Sequence, residues 1–135
     1  MPRLYREMPL ASIWEGSGNV QALDVLRAMA RHPGAAEVLL EEVDEASAAE
    51  PRLQGALATL RAELADPEGI EARARSVVEG LALALQASLL VRYGDPAIAD
   101  AFCASRLAAE SGLAFGTLPS GTDFGRIIER HTPRV

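Results

Sequence analysis

The sequence is short of aromatic residues, which fill 4% of its 135 positions, and its 13 basic residues are all arginine, with no lysine. Few aromatic and β-branched residues leave little to build sheets from, because those are the side chains that pack well on a pleated surface. A formal charge of −6 excludes a surface built to neutralise many phosphates, so free nucleic acid is not the expected partner. The single cysteine, Cys103, cannot form an internal disulfide or a cysteine cage for a metal, and suits a reducing cytoplasm. Arg3 and Arg6 stand where a signal peptide needs an apolar stretch. The most apolar segment, residues 76–91, contains Glu79 and Gln86 and falls short of the ~20 residues that cross a bilayer. It reads as a buried helix, and no membrane is expected.

What is abundant is alanine and leucine, which lose little entropy in a helix. Helix signals recur in order along the chain. After Gly18, Val20, Leu23, Leu26 and Met29 mark one face until His32-Pro33-Gly34 stops the run. Ala36, Leu39, Leu40 and Val43 form a second stripe, with Glu37, Glu41, Asp44 and Glu45 on a solvated face rather than at a metal. Pro51 suits the first turn of a third helix, whose seam is Leu53, Leu57, Leu60 and Leu64. Asp66-Pro67-Glu68 signals the start of a long fourth helix, with Ile70, Ala74, Val77, Leu81, Leu85 and Leu89 on its inner side and Ala82, Ala84 and Ala87 allowing close approach elsewhere.

At Tyr93-Gly94-Asp95-Pro96, Gly94 is expected to take the left-handed conformation, Asp95 to cap and Pro96 to open a fifth helix that runs to about Ser111. Residues 113–121 read as a loop lying on the bundle through Leu113, Phe115 and Leu118. Thr122 is the expected cap of a short last helix carrying Phe124, Ile127 and Ile128. No segment alternates with period two and no linker divides the chain. The expectation is all-α: one helical domain, residues 1–135, folded as an antiparallel bundle of about five helices.

One stretch carries chemistry: Ile13-Trp14-Glu15-Gly16-Ser17-Gly18-Asn19-Val20. Gly16 and Gly18 free the backbone and leave its amides unobstructed, while Ser17 and Asn19 are good caps. Two uses fit, a structural helix cap and a cradle for an anion such as a diphosphate at the positive end of the first helix. No Gly-Lys-Ser/Thr follows for a nucleotide-triphosphate loop, and no strand precedes for a dinucleotide fold. His32 and His131 have no partners arranged for metal binding, so no metal site is expected.

Residues 3–29, RLYREMPLASIWEGSGNVQALDVLRAM, resemble the acyl-CoA dehydrogenase superfamily, specifically its AidB-like branch. Beyond Met29 the resemblance lies in helix order and length. It implies the C-terminal helical domain of a flavoprotein whose N-terminal helical and middle β domains are missing here or supplied by a separate chain. In that family the glutamate of the Trp-Glu-Gly motif removes the α-proton of an acyl-CoA thioester while a hydride passes to FAD. The matching base is Glu15. The cofactor-binding positions carried over are Gly16, Ser17 and Asn19, with Trp14 as a wall of the flavin or substrate pocket or, equally, an anchor for the chain's entry into the bundle. Packing against Trp14 is expected to raise the proton affinity of Glu15.

The resemblance thus implies a cytoplasmic oxidoreductase domain, not catalytic alone, with FAD and an acyl-CoA-like substrate only in the complete protein. The alternative is a free-standing helical interaction module forming homo-oligomers, because a bundle cut from a larger protein exposes apolar surface. The family's DNA-associated members raise a weaker possibility, that Arg126, Arg130 and Arg134 form a small basic patch.

Overall fold

In a computed structural model of the chain, residues 2–14, 16–32, 34–110 and 117–133 are described. They form seven α-helices and no strand, so the all-α expectation holds. The helices are α1 (Pro2–Glu7), α2 (Gly18–Arg31), α3 (Ala35–Asp44), α4 (Pro51–Ala65), α5 (Ala74–Tyr93), α6 (Pro96–Phe102) and α7 (Phe124–His131). The long apolar α5 is central, packing against α2, α3, α4 and α6.

The core follows the predicted seams. Leu53, Leu57 and Leu60 of α4 face Val77, Leu81, Ala84 and Ala87 of α5, with Leu40 and Val43 of α3 closing one side. At three- and four-residue spacing these side chains share one face of each helix. Alanine does more of this work than expected. On α5 the buried positions beyond Leu81 are Ala84, Ala87 and Ser88, while Leu85 is half-buried and Leu89 is 43% exposed. Small side chains let the backbones approach: at Gly80 a β-carbon would stand 3.0 Å from Leu60 Cδ2. The Ser88 hydroxyl is satisfied inside the core by donating to the Glu42 carbonyl at 3.2 Å. On α2, Ala22 is buried, Leu23, Leu26 and Met29 are half-buried, and Val20 is exposed.

Several boundaries differ from the sequence expectation. The long helix begins at Ala74 rather than near Pro67. Asp66 does cap, accepting from the Glu68 amide at 3.0 Å, but what it starts is a turn, because Gly69 sits at φ +66°. Arg73 pins that turn, donating through Nε to Glu63 and through its terminal nitrogens to the Asp66 and Glu68 carbonyls. Gly94 is extended, with φ −87° and ψ −179°, not left-handed. Glycine is needed there for space: a β-carbon would lie 2.5 Å from the Leu90 carbonyl oxygen.

Pro96 opens α6 as expected, with Asp95 accepting from the Ala97 amide at 3.0 Å. The helix then widens at Cys103–Leu107 into a π turn, in which the Ala108 amide donates to the Cys103 carbonyl at 3.1 Å. This turn packs Cys103 and Ala104 inward against α4 and α5. Asp123, not Thr122, caps α7, accepting from the Arg126 amide at 2.9 Å. Leu118 is half-buried, whereas Leu113 and Phe115 lie outside the described residues, as do Pro33 and Arg134.

Candidate functional site

The glycine turn leads into α2 from a segment of its own. Pro2–Glu7 and a tight 3-10 turn, Met8–Ser12, form an arm with no buried residue. Trp14 ends it, its amide donating to the Leu10 carbonyl at 2.9 Å. The indole is 60% exposed and lines an open, mostly apolar groove of about 360 Å³ with Leu4, Glu7, Met8, Leu10 and Ala11. Glu15, the residue matched to the family's base, lies outside the described residues.

After it the chain turns at Gly16, whose φ of +111° disfavours any side chain. The Gly16 amide closes back on the Ile13 carbonyl at 3.1 Å. Gln21, one turn inside α2, locks the bend from the other side: its Nε2 donates to the carbonyls of Trp14 at 2.7 Å and Gly16 at 3.2 Å. A glutamine at this position gave no sequence signal, because its partners are main-chain atoms on a turn whose path had first to be known.

Ser17 takes the extended conformation of a helix N-cap, yet its hydroxyl makes no capping bond to α2. Among the described residues no side chain caps the first amides of α2. The largest addition to the sequence reading is Arg75, from the first turn of α5. Its guanidinium lies against Gly18, with Nη2 3.3 Å from where a β-carbon would stand, and Nη1 donates to Asn19 Oδ1 at 3.4 Å. Arg75 and Asn19 line a shallow cavity of about 280 Å³ with Leu23, Glu71, Ala72 and Ala74.

Of the residues proposed from sequence, Gly16, Ser17 and Asn19 thus gather at the start of α2. Trp14 lies on the arm side of the bend, bordering a different opening. An arginine and the positive end of a 14-residue helix together form a donor set suited to a phosphate group. The chemistry of these donors fits the diphosphate of a dinucleotide, although they supply nothing for its ring.

Several other charged groups pair within the chain. Arg126, from the C-terminal helix, pairs with Asp95 at 2.8 Å and Glu129 at 3.0 Å, which ties α7 to the start of α6 and spends its charge internally. Glu50 holds Arg52 through both oxygens at 2.7 Å, and Arg52 reaches on to Asp100 at 2.7 Å. Hydrogen bonding to Arg52 holds the Glu50 carboxyl below the usual carboxylate range. Nearby, burial pushes the Cys103 thiol up to about 11. Among the described residues no group of three His, Cys, Asp or Glu side chains is placed to hold a metal ion.

Through the glycine turn and most of its length the sequence is similar to an acyl-CoA dehydrogenase of the AidB type, which supports an origin in that family. The particular relative is the Escherichia coli (strain K12) protein named "Putative acyl-CoA dehydrogenase AidB", 35% identical over 113 residues, which are 84% of this chain. The chain spans one fifth (20%) of that protein's length. No family model matches the chain, and no solved structure matches it.

Proposed function

We propose that this chain is the helical domain that lends an anion cradle and a catalytic carboxylate to an FAD-dependent acyl-CoA dehydrogenase-like protein. The observation that carries the reading is the meeting of Arg75 with Gly18 and Asn19 at the start of α2, in the same turn as the family's Trp-Glu-Gly motif. On this reading Gly16 bends the chain, Gly18 keeps the approach to the amides open, and Arg75 supplies the balancing positive charge. Ser17 and Asn19 offer side-chain hydrogen bonds beside them. Bound FAD would supply the hydride acceptor.

Glu15 would take the α-proton of the acyl thioester on its carboxylate, and Trp14 would shield one side of that transfer from water. The residues that enclose the flavin ring and the acyl group belong to other polypeptide, either the same chain's further domains or a separate subunit, so this domain is inactive alone. The free, buried Cys103 supports a reducing, cytoplasmic setting.

The test uses the complete protein of which, on this reading, the chain is a domain. Glu15→Gln should retain FAD absorbance but lose solvent exchange of the substrate α-proton, by a hundredfold or more given the rates general bases confer, typically ~10²–10⁴-fold. Exchange at the parental rate in that variant would remove Glu15 from the mechanism.

A further inference from the structure

Between α4 and α5, where the π turn packs against both, lies a cavity of about 280 Å³ that the flavin reading does not use. Leu60, Val77, Leu83 and Leu107 make its wall mostly apolar, and Glu63 and Arg106 stand at it as well. The π turn builds part of this lining. The Ala108 amide bonds the Cys103 carbonyl five residues back, one residue more than an α turn spans, and the widened stretch brings Arg106 and Leu107 to the cavity. Single π turns of this kind occur frequently at functional sites.

The two charged groups at this cavity are opposite in sign and do not meet. Arg106 is exposed, and its guanidinium makes no hydrogen bond or ion pair among the described residues. Glu63 is half-buried; its Oε2 accepts from Arg73 Nε at 2.7 Å, and its other oxygen has no such partner. The Thr59 and Ser76 hydroxyls, also in the lining, donate to the Gly55 carbonyl at 3.1 Å and the Arg73 carbonyl at 2.9 Å, so a ligand meets them only as acceptors. The cavity thus holds a cationic donor and, separate from it, a set of acceptors that carries negative charge. A plain carboxylate would be repelled by Glu63 and a plain amine by Arg106, whereas a ligand bearing both charges satisfies both.

The geometry points to a binding site for an α-amino acid with an apolar side chain. Its carboxylate rests on the Arg106 guanidinium, whose planar fork can give two parallel bonds. Its ammonium meets the remaining Glu63 oxygen and the Thr59 and Ser76 hydroxyls, and its side chain lies against Leu60, Val77 and Leu83. The volume sets the size: it falls just below the roughly 300–1,000 Å³ of pockets that take drug-sized molecules, and suits a small metabolite. The inference is independent of the flavin reading, since neither Arg75 nor the start of α2 takes part.

Titration of the 135-residue chain with L-norleucine, followed by heteronuclear NMR, tests it. Hexanoate, which lacks the ammonium, and pentylamine, which lacks the carboxylate, are the matched probes. Norleucine should bind saturably, shift the amides of Thr59, Gly80 and Leu107, and bind at least about tenfold more tightly than either analogue. Arg106→Gln should erase the preference over pentylamine and keep that over hexanoate; Glu63→Gln should do the reverse. Circular dichroism establishes that each variant keeps the wild-type helix content. Should Glu63→Gln lose helix through its bond to Arg73, the exposed Arg106 decides alone. No saturable shift with norleucine, hexanoate binding as tightly as norleucine, or unchanged selectivity in a folded Arg106→Gln chain would each overturn the inference.

Discussion

Arg75 reaches back across the chain to Gly18 and bonds the next residue, Asn19, which precedes it by 56 positions. The guanidinium nevertheless lies so close to Gly18 that a β-carbon there would meet Nη2 at 3.3 Å. The glycine turn is therefore a contact between two helices, α2 and α5, as well as a local bend. Gly18→Ala should leave the melting temperature of the isolated chain within about 2 °C, because the far end of an arginine can yield a few tenths of an ångström and small changes of this kind fall within ±0.5 kcal/mol. In the complete protein the same substitution should weaken flavin retention, measured as absorbance after dialysis. A large loss of melting temperature in the isolated chain would instead make Gly18 a packing residue.

The core predicts a sharp contrast between two leucines. Leu57 is 1% exposed at the centre of α4, whereas Leu89 of α5 is 43% exposed. Leu57→Ala should cost about 2–5 kcal/mol in urea unfolding, through lost burial and the cavity left behind. Leu89→Ala should cost about 1 kcal/mol or less.

Much of this architecture was legible in sequence because apolar spacing, capping acids and prolines act locally. Pro51, Asp95 and Pro96 start helices where expected, and Leu53, Leu57 and Leu60 are the seam their spacing implies. What escaped depended on contacts across the chain. Ala84 and Ala87, expected to allow close approach, are with Ser88 the most deeply buried positions beyond Leu81, while Leu85 packs at the core's edge and Leu89 is exposed, because alanine carries too little hydrophobic signal to mark the innermost face. The π turn at Cys103–Leu107 rests on which residues face α4 and α5, which no local pattern encodes. At the candidate site the glycines and caps were readable, but Arg75 and Gln21 were not, since both act on main chain or side chains brought close only by folding.

Gly94 makes a further test of close approach. With its backbone extended and the Leu90 carbonyl 2.5 Å from a would-be β-carbon, the obstacle is main chain rather than a flexible tip. Gly94→Ala should therefore destabilise the chain by about 1–3 kcal/mol, an overpacking cost. Were a positive φ the reason for glycine, Gly94→Asn would restore stability; the expectation is that it does not.

Acid should act through Glu50. Its folded carboxyl is held below the ordinary range by Arg52, so the stabilisation is fully present above the unfolded value and is lost as pH falls through the lowered folded one. Asp44, lowered by its bonds with Ser47 and Arg61, acts in the same direction from the surface. Urea midpoints for Glu50→Gln should fall less between neutral and acidic pH than those of the wild type.

Base should act through Cys103. A thiol pushed up to about 11 in the fold keeps its proton where an unfolded cysteine has already lost it. Folding stability should therefore decline as pH rises from the unfolded value toward the folded one. The same burial predicts that the native thiol resists alkylation at mildly alkaline pH while the urea-unfolded chain reacts at once. Equal alkylation rates in the two states would contradict the buried position.

The cradle at the start of α2 is tested most directly by the flavin affinity of the complete protein with and without Arg75. Arg75→Gln should raise the FAD dissociation constant by about tenfold or more, in keeping with the ~1.5–3 kcal/mol of a charged hydrogen bond, and leave the fold intact by circular dichroism. An unchanged FAD affinity in a folded Arg75→Gln protein would contradict the account.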